Sequence, residues 1–392
     1  MPADHSYVFD TFARLNLKLK NGEGAWLFND KGEKYLDFIA GVAVNAFGYG
    51  HPYLLKTLQE NAQKPWHVSN FFQIEAQEKL AQRLCENSFA DKVFFVNSGA
   101  EAVETAIKTA RHYHYANQHP KKNKIICFEG GFHGRTLATI AAGGQKKYLE
   151  GFDPIMPGFL HVPFGDIDAL AKHIDDTTAA ILFEPIQAEG GVRVLSEEKL
   201  NKIRELCDKN NILLILDEVQ SGMGRTGKLF AHQWSKIQPD IMALAKALGG
   251  GLPVGACLAK KHVAESMVLG THGSTFGGNP LSMAMANAVL DLLLKPKFLE
   301  HVQNIAQYFS EQLGKLVENY NDLISNVSGK GLLIGIQCVK NNQELINACF
   351  EQKLLIVNAG QNMVRFLPPL ILTEEEAQEG LARFEKALKS LQ

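Results

Sequence analysis

Lys246 lies in Ala243-Leu-Ala-Lys-Ala-Leu248, followed by Gly249-Gly-Gly251. An ammonium among small apolar neighbours gives up its proton more readily, leaving the neutral amine that attacks carbonyls. Read alone, it is equally a helix lysine whose stem lies on apolar surface. Asp217 closes the apolar run Ile212-Leu-Leu-Ile-Leu216. A carboxylate at the end of a buried strand needs a cation or a hydrogen-bond donor, and a helix cap or salt bridge would also meet that need. Asn97-Ser98-Gly99-Ala100-Glu101 sits between an apolar strand and a helix start. Its free N–H groups and the helix dipole make an anion site, or an ordinary turn with a serine cap. Two arginines stand in settings that want a bidentate anion: Arg135 in Gly131-Phe-His-Gly-Arg-Thr136 and Arg365 in Val364-Arg-Phe-Leu-Pro368. Glu184 and Glu189, in Glu184-Pro-Ile-Gln-Ala-Glu189, are the candidate internal partners.

Two other patterns carry less. Gly222-Met-Gly224-Arg-Thr-Gly227-Lys228 matches G-x-G-x-x-G and most of a phosphate loop. Leu229 stands where the phosphate loop needs a Ser or Thr for Mg²⁺, and Asp217-Glu-Val-Gln-Ser221 separates the first glycine from its strand. A conformationally demanding loop explains it better. His112 and His114 are two apart on a helix and face different ways, and no His-Glu-x-x-His occurs, so no metal site is expected.

The elements that must position these residues read as alternating strands and helices. Strand candidates are residues 93–96, 125–128, 179–183, 212–216, 241–244 and 254–258. Several are apolar throughout, as parallel strands covered on both faces are. Between them, residues 100–116 place Ala102, Val103, Ala106, Ile107, Ala110 and Tyr113 on one helical stripe. The alternation implies a doubly wound α/β domain over residues 61–285. After Lys295-Pro296-Lys297 the character changes: a long helix over 298–320, apolar runs at 331–337 and 354–357, and a last helix from Glu374. Residues 286–392 thus read as a smaller α+β domain. Residues 1–60, with a strand-like Ala25-Trp-Leu-Phe28, join neither unit by pattern alone.

The whole chain of 392 residues is 46% hydrophobic and 21% charged, enough to bury a sizeable core. Its 40 Lys and Arg nearly balance 42 Asp and Glu, which offers no basic field for nucleic acid or an anionic membrane. Six dispersed cysteines without a Cys-x-x-Cys pair point to free thiols in a reducing cytoplasm. The N-terminus, with Asp4, His5, Asp10 and Arg14 among short apolar stretches, has no signal-peptide core. Residues 281–294, interrupted by Ser282, Asn287 and Asp291, are too short and polar to span a bilayer.

A phosphate-type turn at 99, an aromatic-His-Gly-Arg loop at 132, a strand-terminal aspartate at 217 and an apolar-set lysine at 246 thus fall in order within one domain. That ordered set resembles the class-III, fold-type-I pyridoxal-phosphate aminotransferases, from about residue 8 to the C-terminus. Asp217-Glu-Val-Gln-Ser-Gly-Met-Gly-Arg-Thr-Gly227 resembles the family's aspartate block, and Ala245-Lys-Ala-Leu-Gly-Gly-Gly251 its lysine block. Further hallmarks are Tyr35-Leu-Asp-Phe-Ile-Ala-Gly-Val-Ala-Val-Asn45, Gly270-Thr-His-Gly-Ser-Thr-Phe-Gly-Gly-Asn-Pro280 and Arg365-Phe-Leu-Pro-Pro-Leu370. Ala188 stands where the family often has Gly, and Trp66-His-Val-Ser-Asn70 is only loosely family-like.

The resemblance implies a large domain with a mostly parallel seven-stranded sheet and a smaller α+β domain to which residues 1–60 contribute. It implies pyridoxal 5′-phosphate held by Lys246, with Asp217 at the pyridinium nitrogen, Phe132 and Val219 on the two ring faces and Gln220 near the 3′-oxygen. Ser98, Gly99 and Ala100 would hold the phosphate, completed by Thr275 from the partner subunit of a homodimer. Arg135, Glu189, Ser274 and Arg365 would bind substrate. The activity implied is transamination between N-acetylornithine and 2-oxoglutarate, or between a related ω-amine (succinylornithine, succinyl-diaminopimelate, ornithine or 4-aminobutyrate) and 2-oxoglutarate. A nicotinamide dehydrogenase built on Gly222–Gly227 and a non-catalytic cofactor-binding module are the readings from other classes.

Overall fold

The computed structural model describes residues 7–392. Asp4 and His5 of the N-terminal stretch lie outside the described residues. The centre is a seven-stranded sheet: β1 (Lys92–Val96), β2 (Lys124–Phe128), β3 (Phe159–Val162), β4 (Thr178–Phe183), β5 (Leu213–Asp217), β6 (Ile241–Leu244) and β7 (Gly255–Ala259). Its order is β1-β7-β6-β5-β4-β2-β3. Strand β7 runs antiparallel to both neighbours, and the remaining pairs are parallel. The middle strands β4, β5 and β6 are buried at every position, which is why their sequences carry no polar alternation. Strand β3 escapes the sequence reading because only Val162 of its four residues is buried and His161 interrupts its apolar run.

Helix α1 (Gly99–Ala116) lays its apolar stripe on this sheet, with Ala102, Val103, Ala106, Ile107 and Ala110 fully buried. Helix α2 (Pro280–Leu293) is buried almost all round and runs through the expected boundary at residue 285. Its buried Asn287 is satisfied, donating to Ala76 O at 2.8 Å and Met283 O at 3.0 Å. Among the described residues no helix is long and apolar enough to cross a membrane.

The C-terminal part carries helices α3 (Phe298–Asn319) and α4 (Glu374–Lys389) over a sheet of Ile324–Lys330, Leu333–Cys338, Met363–Phe366 and Val357–Ala359. The N-terminal strands Leu19–Glu23, Trp26–Asn29 and Lys34–Asp37 join it through Leu354–Leu355, which pairs parallel to the third of them. Phe38 seals the junction, edge-on to Phe309 and Phe366 at 5.6 and 6.3 Å. The apolar run 354–357 is divided between two sheets with Ile356 at the corner.

Candidate active site

The carboxyl ends of the parallel strands open on a cleft of about 350 Å³ lined by Ser98, Gly99, Phe132, Asp217, Val219 and Lys246, among others. Ligands of open α/β sheets bind at this edge because the strand-to-helix loops converge there. Asp217 ends β5 only 4% exposed. Its Oδ1 accepts the Val219 N–H at 3.0 Å, and its Oδ2 lies 2.8 Å from His133 Nδ1. Burial pushes the His133 imidazole down, but the hydrogen bond and charge of Asp217, with Glu184 behind, outweigh it and raise its pKa. His133 Nε2 is buried without a partner among the described residues.

Lys246 opens a short 3-10 turn, Lys246–Gly249, directly after β6, and is not an exposed helix lysine. Its φ of 46° puts a non-glycine residue in the left-handed region, a local strain of the kind that collects at functional sites. Among the described residues its amine makes no hydrogen bond or ion pair. Burial pushes its pKa down to about 8; Glu189 opposes that shift, and Arg365 adds to it. Across the cleft, Ser98 caps α1 by accepting the Glu101 N–H at 3.2 Å. The amides of Gly99 and Ala100 fall in the first turn, where a helix has no internal acceptors for them. Gly99 is also required by packing, since a Cβ there would stand 2.8 Å from Val219 Cγ1.

Arg365 is 1% exposed and comes from the C-terminal strand Met363–Phe366. Its Nη2 donates to Glu189 Oε1 at 2.7 Å and its Nη1 to Gln220 Oε1 at 2.7 Å. Gln220 also donates to Glu189 Oε1 at 3.5 Å, closing a triangle. Burial raises the Glu189 pKa, but Arg365 and Lys246 more than reverse this and hold the carboxyl below its ordinary value. Arg135 is exposed and makes no ion pair among the described residues. Its guanidinium stacks on the Tyr148 ring at 3.9 Å and lies 5.7 Å from the Phe132 ring, which leaves the N–H fork free at its edges.

One expectation needs correction. Glu184 does not pair with an arginine: its Oε1 accepts the Phe132 N–H at 2.8 Å and its Oε2 the Ala188 N–H at 3.4 Å. Burial with Asp217 nearby raises its pKa despite His133. Ser274, and Thr275 that is expected to serve the partner subunit's cleft, are not among the side chains lining this chain's own cleft. Ser274 Oγ meets it indirectly, accepting from Asn97 Nδ2 at 3.4 Å, while Thr275 is exposed. The sequence reading gave His133 and Tyr148 no role of their own, and took Glu184 as an arginine partner where it instead holds the Phe132 amide. Glu184 follows a buried strand just as Asp217 ends one, so the same signal was present; Tyr148 had none.

These groups bring together an amine without a partner among the described residues, a buried carboxylate and a buried arginine paired to a glutamate. Residues 11–388 match the Aminotransferase class-III family, and the chain belongs to that family. It is 57% identical over 384 residues to the acetylornithine aminotransferase of Agrobacterium fabrum, covering 98% of this chain and 96% of that protein. Its fold is similar to the N-acetylornithine aminotransferase of Stenotrophomonas maltophilia, with TM-score 0.85 and 36% identity over 97% of each chain. It is also similar to the ornithine aminotransferase of Toxoplasma gondii in a structure with partial occupancy of PLP at the active site. There the TM-score is 0.94 and the identity 31%, over 98% of this chain and 92% of that one.

Proposed function

We propose that this aminotransferase moves an amino group from the distal amine of N-acetylornithine to 2-oxoglutarate, a step of arginine biosynthesis, using pyridoxal 5′-phosphate in a homodimer. The unpartnered Lys246 amine, the first-turn amides of α1 and the strand-terminal Asp217 fit that cofactor's aldehyde, phosphate and ring nitrogen. When bound, the cofactor supplies a carbonyl for the amino group and a ring that takes up electrons. Lys246 would hold it and move a proton at the substrate carbon. Asp217, oriented by His133 and the Val219 amide, would keep a proton on the ring nitrogen. Phe132 and Val219 would flank the ring, with Gln220 near its 3′-oxygen, and Ser98, Gly99 and Ala100 would bind the phosphate. Thr275 from the partner subunit would complete that phosphate site, and Ser274 would touch substrate.

The observation that carries the reading is the Arg365–Glu189 pair near Lys246, with Arg365 buried and Glu189 partly so, while Arg135 makes no ion pair among the described residues. N-acetylornithine reacts at its far end, so its carboxylate belongs at Arg135 while Glu189 keeps Arg365 neutralised. Glutamate reacts next to its α-carboxylate, which takes Arg365 from Glu189. Residues 1–60 and those after α2 would form the small domain, and residues from 61 to the end of α2 the cofactor domain. The six unpaired cysteines accord with a cytoplasmic location.

Competing N-acetylornithine, N-succinylornithine and ornithine as donors tests the reading through kcat/KM for each. The acetylated donor is expected to lead; preference for free ornithine would overturn it. A near-visible absorption band of the purified protein that bleaches with glutamate checks the cofactor.

A further inference from the structure

The loop Gly222–Lys228 has no role in the chemistry above, yet it is strongly constrained. Met223, Gly224 and Gly227 have φ of 52°, 86° and 85°. A Cβ on Gly224 would approach Leu293 to 2.8 Å, and one on Gly227 would approach Gln303 to 2.6 Å. The loop is therefore wedged against α2 and α3. From it Arg225, 1% exposed, donates through Nη1 to Leu332 O at 3.0 Å and Pro368 O at 2.6 Å, while its own carbonyl accepts the Leu332 N–H at 2.9 Å. Neighbouring Gly331 could carry no Cβ, which would lie 2.4 Å from the Thr226 backbone.

No carboxylate pairs with Arg225 among the described residues, and its Nε and Nη2 have no partner. Burial pushes its pKa down to about 9. A buried cation held only by carbonyls is poor value for stability, because an apolar residue of similar size packs as well. What the guanidinium adds is a fixed direction toward two acceptors. Those acceptors flank neighbouring strands of the C-terminal sheet: Leu332 precedes Leu333–Cys338, and Pro368 follows Met363–Phe366, with Gly335 opposite Arg365 in the ladder. The segment between Asp217 and Arg225 also carries Gln220, which meets Arg365 directly.

We propose that Arg225 is a positioning residue: it docks the C-terminal sheet onto the loop after β5 and so fixes where Arg365 stands relative to Asp217 and Lys246. The proposal rests on Arg365 as the α-carboxylate site and on Arg135 as the site for the distant carboxylate. Single-turnover half-reactions of the holoenzyme test it. In Arg225→Met the glutamate half-reaction should lose at least about tenfold, mainly as a higher saturation constant. The N-acetylornithine half-reaction, whose carboxylate partner sits on the cofactor-domain loop, should change less than about threefold. Arg225→Lys, which keeps a donor, should recover part of the loss and carries the same test if Arg225→Met does not fold. Equal losses with both substrates, or no glutamate loss, would overturn the proposal. Arg365→Gln separates the two ideas. If it does not weaken glutamate selectively, the carboxylate reading itself falls. If it does while Arg225→Met does not, the positioning role alone falls. On the Arg365→Gln background, Arg225→Met should add little further glutamate loss if it acts through Arg365.

Discussion

At Lys246 the decisive quantity is the proton on the amine. With the pKa lowered by burial to about 8, the neutral form predominates above that pH, where an ordinary lysine near ~10.4 would still be charged. Uptake of pyridoxal 5′-phosphate by the cofactor-free protein, followed by absorbance, should therefore accelerate with pH and level off a little above 8. A rate still climbing past about pH 10 would class the amine with exposed lysines. Sequence showed the apolar neighbours of Lys246 but not the absence of a partner, which depends on Glu189 and Arg365 reaching the site from distant segments. Glu189→Gln probes that meeting. Breaking a buried charge pair from one side costs ~3–5 kcal/mol when the remaining charge is uncompensated, and Gln220 still holding Arg365 puts this site toward the lower end. With N-acetylornithine nothing else neutralises Arg365, so that half-reaction should fall by about tenfold or more. If Arg365 is the α-carboxylate site, glutamate brings its own carboxylate and no longer has to displace Glu189, so its half-reaction should hold or improve. Equal losses in pre-steady-state k/K would make Glu189 a structural residue.

Elements were legible in proportion to how uniformly they are buried. Strands β4 to β6 announce themselves as apolar runs because both faces are covered, and α1 because its stripe is continuous. The edge strand β3 and the corner at Ile356 were not legible, since half-buried short segments keep polar residues and local sequence says nothing about which sheet receives them. The start of α1 combines both situations. Its serine cap was readable, but the packing of Gly99 on Val219 was not, because Val219 arrives from beyond β5. Gly99→Ala should thus do more than obstruct an anion. Its methyl, 2.8 Å from Val219 Cγ1, must push either Val219 or the helix start, at a cost of typically ~1–3 kcal/mol for overpacking. The expected result is a cofactor dissociation constant at least about tenfold higher, with thermal unfolding of the cofactor-free protein lowered only modestly. Unchanged cofactor affinity in equilibrium titration would show that the first turn of α1 does not hold the phosphate.

On the scale of the whole molecule, the strand Lys34–Asp37 pairs with Leu354–Leu355 across more than three hundred residues, a contact no local pattern encodes. The face around residues 268–276 poses the opposite problem: a surface of large apolar side chains left uncovered by the described residues. Leu269, Phe71 and Phe276 are 104%, 94% and 60% exposed, and Trp66 and Val268 stand out with them. Large exposed apolar groups in one region mark an interface. Thr275 lies on this stretch, exposed and away from its own cleft, which is where a residue serving a neighbouring subunit has to be. In a two-fold dimer the same patch meets itself, so each cleft would receive the other chain's loop. Mixed dimers test this without a dimer structure. Neither Lys246→Ala nor Thr275→Arg alone should turn over substrate. If each site combines Lys246 of one chain with Thr275 of the other, unfolding and refolding an equal mixture makes heterodimers with one intact site. Random pairing should then restore about a quarter of wild-type activity per chain. If both residues served the same chain's cleft, every site in every pairing would carry a defect and activity would stay at the level of the separate variants. Light scattering should show dimers throughout. A monomer, or a mixture no more active than its components, would sink the shared-site arrangement.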